Sequence, residues 1–317
     1  MSATSATQMT LSTSNKSSYF MRRLKSSSWL YLFLVPAALF TAVFRYIPMW
    51  GAQIAFRDYF AGIGILESQW VGLKYFQTFL TSFQFGRVMR NTVVLSLLDV
   101  VITFPLPIVF AVGLHYVTNR TVRKTVQMIT YAPYFISTVV LAGIILVFLS
   151  PRTGPVNVLL KSMGHEPIFF MGDPAYFRSI YVGSSIWQFT GYNAIIYIAV
   201  LTSVSPELHE SALIDGANKL QRIWNIDVPF LVPTMSILLI LRLGRTLRLG
   251  FEKAYVLQTP LNLSKSEIIE TFVYKLGLEQ AQFSYATAVG LFLNVINFLL
   301  LILANQVARR MTEHSLF

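Results

Sequence analysis

Three arginines, Arg242, Arg245 and Arg248, recur at intervals of three in an otherwise apolar run. On a helix each lies about 300° on from the last, so they form one slowly drifting stripe. A guanidinium pairs bidentately with carboxylates. Inside a bilayer it is costly unless it faces water, a partner or an anion. The stripe therefore predicts a cationic wall in a translocation path for an acidic solute, with snorkelling to the outer headgroups as the alternative. A second polar cluster, Gln188, Tyr192 and Asn193, interrupts another apolar run. Gln188 and Tyr192 stand at i, i+4 and share a helical face. An amide that donates to hydroxyls beside a flat ring suits carbohydrate; polar helix–helix packing is the alternative. Asp99, a lone carboxylate within a third apolar run, is a candidate for ion coupling or for a packing hydrogen bond.

Other chemistry is missing from the sequence. No G-x-x-x-x-G-K-[ST] loop is present to cradle phosphates, so the chain is not expected to hydrolyse ATP itself. The four histidines, His115, His165, His209 and His314, lie far apart and show no metal-ligand spacing. No nucleophile–base pair stands out and there are 0 cysteines, so neither an enzyme, a bound cofactor, a metal nor a disulfide framework is expected.

The elements that must position these residues are membrane spans. Only 12% of the 317 residues are charged, about half the share in an ordinary soluble domain, and 54% are hydrophobic. Apolar runs near twenty residues in length place the chain in a bilayer. The net charge of +11 falls on loops and flanks rather than on a basic patch of a soluble fold. That favours contact with anionic membrane lipid and excludes nucleic acid. Residues 1–28 are expected to be a disordered cytoplasmic tail, Ser/Thr-rich and aperiodic, with Arg22, Arg23 and Lys25 flanking the first span; a signal peptide is the competing assignment. The transmembrane domain is expected over 29–317, with spans at about 29–50, 92–116, 128–149, 180–204, 230–249 and 286–307. Arg120, Arg123 and Lys124 form a short basic loop of the cytoplasmic kind. Pro105 and Pro107 sit inside the second span, where neighbouring groups can repair the backbone. Six spans put both termini on one side of the membrane. No internal repeat is visible, which disfavours an inverted-repeat secondary transporter.

One long polar segment, 207–229, lies between the fourth and fifth spans. Glu207–Leu213 has helical character. Asp215-Gly216 is a turn signal because glycine tolerates positive φ. A second helical piece places Ala217, Leu220, Ile223 and Trp224 at i, i+3, i+6 and i+7, and Pro229 marks the start of the next apolar run. Two short helices meeting at a glycine make a compact knob shaped to fit a socket on another protein.

Glu210, Ala212, Asp215-Gly216-Ala217, Ile223, Ile226 and Pro229 together resemble the EAA signature of the permease subunits of binding-protein-dependent ABC importers. Ser211 replaces the middle alanine, Ile223 the usual aromatic and Val228 the leucine. Gly72-Leu73-Lys74-Tyr75-Phe76, Asn91-Thr92 and Tyr131-Ala132-Pro133-Tyr134 are similar to further elements of that family. The resemblance runs from about Trp29 to the C-terminus. It implies an all-α membrane protein with six transmembrane helices and a cytoplasmic coupling helix, the type I importer fold of the maltose-transporter type, in its sugar and oligosaccharide branch. It implies a bacterial inner-membrane location, with both termini cytoplasmic. It also implies a second, distinct permease as heterodimer partner, a dimer of ATPase subunits that carry the ATP and Mg, and an extracytoplasmic solute-binding protein. In that family the knob is the coupling helix: Glu210 anchors it, Gly216 permits its turn, Ala212 and Ala217 allow close approach, and ATP-driven motion passes through it to give alternating access. Combined with the arginine stripe, the expected cargo is an acidic oligosaccharide such as alginate. The alternatives are a neutral oligosaccharide or peptide permease, or an ion-coupled secondary transporter using Asp99.

Overall fold

A computed structural model describes residues 28–244, 247 and 250–311. Most of the expected tail, and two of the three stripe arginines, Arg245 and Arg248, lie outside the described residues. The chain falls into two units, 1–53 and 54–317. In the first, α1 (Ser28–Thr41) runs through a π-turn at Ala42–Tyr46 into α2 (Ile47–Met49).

Among the described residues of the second unit the regular structure is helical apart from one short strand pair, β1 (Arg57–Asp58) against β2 (Gln69–Trp70), with Arg57 opposite Trp70. Asp58 binds Lys74 at 2.9 Å and accepts from the Tyr75 hydroxyl at 2.5 Å. The tyrosine hydrogen bond, then the lysine, hold its carboxyl below the usual carboxylate range. Both partners come from α3 (Lys74–Thr81), which leads into α4 (Phe83–Thr103).

The sequence predicts the second span to begin at residue 92, but α4 begins at Phe83 because the Ser82 side chain caps it, accepting from Phe85 N at 3.2 Å. Asn91 and Thr92 are therefore mid-helix and buried. Asn91 Nδ2 donates to the carbonyls of Ser264 and Glu267, and the Thr92 hydroxyl accepts from Ile269 N at 2.9 Å. Phe104 carries α4 into α5 (Pro105–His115) without a gap; Pro105 stands where a helix start needs no N–H.

The third span is not the straight helix expected over 128–149. Arg120, Arg123 and Lys124 belong to α6 (Arg120–Tyr131) rather than to a loop, because the Asn119 side chain accepts from Thr121 N and Val122 N and starts the helix there. Pro133 has no N–H to continue the ladder, so a 3₁₀ turn at Ala132–Phe135 ends it. Ser137 then caps α7 (Thr138–Phe148), and the two arms meet at 102°.

The short α8 (Pro155–Ser162) precedes α9 (Pro174–Thr202), started by Asp173 accepting from Ala175 N at 2.8 Å. Beyond it come α10 (Pro206–Ile214), α11 (Lys219–Arg222), α12 (Val228–Leu243), α13 (Phe251–Leu257), α14 (Leu263–Ser266), α15 (Ile269–Tyr274) and α16 (Phe283–Met311).

Among the described residues, four helical stretches are long and apolar enough to cross a membrane: 32–56, 83–115, 219–243 and 283–303. The bent α6–α7 pair makes a fifth if counted as one span. The expected fourth span falls in α9, whose 29 residues are long enough but whose Gln188, Thr190 and Asn193 lower its hydropathy.

Helix α9 is the organising rod. Its first half puts Phe177, Tyr181 and Val182 into a buried cluster with Leu95, Leu141 and Ile145. Its second half puts Ala194, Tyr197 and Leu201 against Ala111 and Leu231. A third cluster joins Phe79 and Val88 to Ile269, Phe272 and Val289. Lipid tails are as apolar as leucine, so within the spans this cohesion is close packing rather than release of water. The closest approach is at Gly191. A Cβ there would lie 2.3 Å from the Thr130 carbonyl oxygen of α6. We expect Gly191→Val to cost at least about 1–3 kcal/mol, since backbone must move to admit it; a thermal melt of the detergent-purified chain measures the loss.

Candidate functional site: a helical knob below a charged cavity

The knob is built as a hinge of two capped helices. Ser205 caps α10 by accepting from Glu207 N at 3.3 Å. At its other end Ala217 N donates to Ala212 O at 2.8 Å and Gly216 N to Leu213 O at 3.0 Å. This is a Schellman close, and it requires the left-handed residue that Gly216 supplies at φ +78°. Asn218 and Gln221 then form a reciprocal capping box that starts α11. Pro229 has no N–H to offer the turn above it. The ladder slips by one residue over Ile223–Asp227, with Val228 N reaching Ile223 O, before α12 proceeds.

The outward face of this knob is apolar. Ile214 is 87% exposed and Leu220 and Trp224 are each 67% exposed, with Leu213 beside them. Glu210 is also exposed, while Ala212, Ala217 and Ile223 are half-buried. Large apolar side chains gathered on a polar loop mark a surface that meets a partner.

Between α4, α9, α12 and α13 lies a cavity of about 420 Å³. Gln188, Asn193 and Arg242 line it together with Asp99, Thr103, Tyr181, Ser185, Glu252 and Lys253. Three of the residues predicted from the sequence to line the substrate path thus meet at one cavity. Arg242 binds Asp99 Oδ2 at 2.7 Å and also the Thr103 hydroxyl, so its charge is offset by the one carboxylate that had suggested ion coupling. Gln188 is buried, and its Nε2 donates to Ile136 O at 2.9 Å, satisfying a carbonyl freed by the break between α6 and α7. Tyr192 is not among the lining residues. It stacks on Tyr134 with centroids 3.5 Å apart and planes 4° from parallel, so it packs the α6–α7 break.

Lys253 was passed over in the sequence because it lies in a mixed-charge segment. It is buried, donating to Tyr181 O at 2.8 Å and Ser185 Oγ at 2.7 Å, with its ammonium 4.5 Å from the Tyr181 ring centroid. All of these contacts are neutral groups. A second cluster was also missed. His115 meets His209 and Asp227, both within the knob, at its buried side, with Asp227 fully buried and the Tyr116 hydroxyl donating to its Oδ2 at 2.7 Å. No spacing announces it. The only sequence signal is an aspartate at the head of an apolar run, which must find partners if buried.

A broken span, long apolar helices, a polar cavity between them and an apolar-tipped knob define a membrane transport subunit. The model of the family described as binding-protein-dependent transport system inner membrane component matches residues 103–313. The chain belongs to this family, and is a permease subunit of an ABC importer rather than an enzyme. It is 40% identical over 305 residues to protein LplB of Bacillus subtilis (strain 168), covering 96% of each chain. It is 40% identical over 295 residues to the polygalacturonan/rhamnogalacturonan transport system permease protein YteP of the same organism, covering 93% of this chain and 92% of that protein. Among solved structures it is similar to a chain of a bacterial ABC transporter involved in the import of the acidic polysaccharide alginate. The TM-score is 0.87 at 38% identity, covering 93% of this chain and 99% of that one. A chain of a bacterial alginate ABC transporter in complex with an alginate pentasaccharide-bound periplasmic protein is similar to the same degree, with a TM-score of 0.87 at 38% identity.

Proposed function

We propose that this permease imports an acidic oligosaccharide, received from a solute-binding protein, through the cavity between α4, α9, α12 and α13. The transport domain is 29–317, with both termini cytoplasmic, and ATP and Mg are held by a dimer of separate ATPase subunits. The knob at 207–229 docks on one of them, and a second, distinct permease completes the path as heterodimer partner. The single observation that carries this is the placement of the knob. It is joined to α9 by the short turn at 203–205 on one side and runs through the π-turn into α12 on the other, the helices that bear Gln188 and Asn193, and Arg242. A displacement of the knob moves two walls of the cavity at once.

Support for an acidic cargo lies in the cavity's charge. Asp99 offsets Arg242, whereas Lys253 is held by neutral groups. Burial lowers the Lys253 pKa to about 7, with the nearby Asp99 opposing the shift, so a carboxylate arriving beside it favours the charged ammonium and is attracted to it. The transporter of similar structure that imports alginate, and the relative named for polygalacturonan, point the same way. Glu252 at the rim favours a second candidate, a neutral oligosaccharide, by lowering the local positive field. Uptake of a uronate and of a neutral oligosaccharide by wild type, Lys253→Met and Arg245→Ala separates the two. We expect uronate uptake to fall at least about tenfold, the factor set by some 1.4 kcal/mol of lost attraction, with neutral uptake unchanged. Equal loss of both, or loss of neither, would remove the acidic assignment.

A further inference from the structure

We propose that His115, His209 and Asp227 bind a divalent transition-metal cation of the zinc class, which staples the knob to the ends of two neighbouring helices. The three residues come from three elements: the last residue of α5, the middle of α10 and the π-turn that leads into α12. Their ligand atoms all lie within 4.8 Å of one another.

Two features favour a cation over a simple ion pair. His209 Nε2 and Asp227 Oδ1 are 3.3 Å apart, yet both are buried and neither has a hydrogen-bond partner among the described residues. Around a tetrahedral zinc, two ligands with bonds of about 2.0–2.1 Å stand about 3.3 Å from each other, with their lone pairs aimed at the metal instead of at one another. Two buried polar atoms at that separation and without hydrogen bonds match this arrangement. The carboxylate is also prepared: the Tyr116 hydroxyl holds Oδ2 at 2.7 Å and leaves Oδ1 for the metal, which is the usual outer support of a metal-binding carboxylate. Arg222 stands over the Tyr116 ring at 5.6 Å from its centroid and closes that side.

The donor set selects the class. Two imidazoles and one carboxylate suit zinc, cobalt or nickel, whereas magnesium and calcium take oxygen ligands. A ring nitrogen of His115 already lies within 4.8 Å of the other two ligand atoms, so a small side-chain rotation brings it into the coordination sphere. Three protein ligands leave a fourth position for water, which makes the site exchangeable. Occupied, it would tie α10 to α5 and α12 and limit the knob's freedom to move. That consequence rests on the coupling assignment; the site itself does not.

The test is titration of the tag-free full-length chain, in lipid nanodiscs and stripped with chelator, with Co²⁺ followed by its visible absorption and then displaced by Zn²⁺. We expect one equivalent of Co²⁺ per chain with the intense bands of a tetrahedral site. His115→Ala, His209→Gln and Asp227→Asn should each weaken binding at least about tenfold, and Tyr116→Phe about tenfold. His165→Ala should leave the titration unchanged. If Asp227→Asn does not yield folded protein, His115→Ala, at a half-buried helix end, carries the comparison. Absence of the visible bands, or equal Co²⁺ binding by wild type, His115→Ala and His209→Gln, would overturn the proposal and leave the cluster as a packing anchor.

Discussion

Gly216→Val is expected to uncouple ATP hydrolysis from uptake. Gly216 closes the Schellman motif at φ +78°, and a left-handed conformation costs an L-residue about 1–2 kcal/mol, more when its side chain is β-branched. No neighbouring atom lies within 4 Å of a Cβ placed there, so the penalty is conformational and not steric. The variant can relieve it only by reopening the turn, which releases the hydrogen bonds of Gly216 and Ala217 to Leu213 and Ala212 and turns Ile214 and Leu213 away from their present face. The spans are untouched, so the chain should insert and assemble. In proteoliposomes containing the whole transporter, we expect uptake to fall at least about fivefold, with binding-protein stimulation of ATPase activity lost in parallel. Gly216→Asn should retain most activity, since asparagine tolerates the left-handed region. Normal uptake by the valine variant would mean that the turn does not set the docking face.

The second large effect is at Asp99 and Arg242. Their side chains lie between α4 and α12 at 2.7 Å, each about a quarter exposed to the cavity. Removing one partner from a fully buried pair costs about 3–5 kcal/mol, because the remaining charge is left uncompensated. Access to the cavity reduces this, and we expect about 2–3 kcal/mol for Asp99→Asn or Arg242→Gln alone. The double variant should recover much of the loss, giving a coupling energy above about 1 kcal/mol in a double-mutant cycle read from unfolding midpoints in mixed micelles. The same variants address the ion-coupled alternative. If Asp99 were a coupling carboxylate, Asp99→Asn would abolish uptake without disturbing stability. Paired as it is, the residue should affect uptake only in proportion to the damage to the α4–α12 contact.

Much of the knob was legible from sequence because its determinants are local. Gly216 and Pro229 act within a few residues of themselves, and the turn and the two short helices stand where their types and positions predict, while the Ser205 cap and the Asn218/Gln221 box that start those helices are added by the structure. The long apolar runs were legible for the same reason. What was not legible depends on contacts between distant segments. Helical spacing put Gln188 on one face with Tyr192 but did not give its partner, Ile136 O, which is left open because Pro133 breaks the third span. Tyr192 shares that periodicity but is claimed by Tyr134 at the same break. Asp99 and Arg242 each stood out singly, and no rule of spacing joins residues 143 apart. The helix start at Phe83 was hidden because a single serine cap outweighs the polar residues after it. Lys253 looked like one charge among many until the fold buried it against Tyr181 and Ser185.

The central claim is that the knob at 207–229 docks on an ATPase subunit. Its exposed tip offers a direct measurement, since the chain contains 0 cysteines and Ile214→Cys supplies a unique thiol. With a short photo-activated cross-linker on that thiol in the assembled transporter, the predicted product joins this chain to the ATPase subunit, in a yield that changes when ATP is bound. The same linker at Trp70→Cys, exposed on the strand pair beside α3, should give no such product. A cross-link from position 214 to the solute-binding protein, or equal yields of ATPase adduct from positions 214 and 70, would contradict the account.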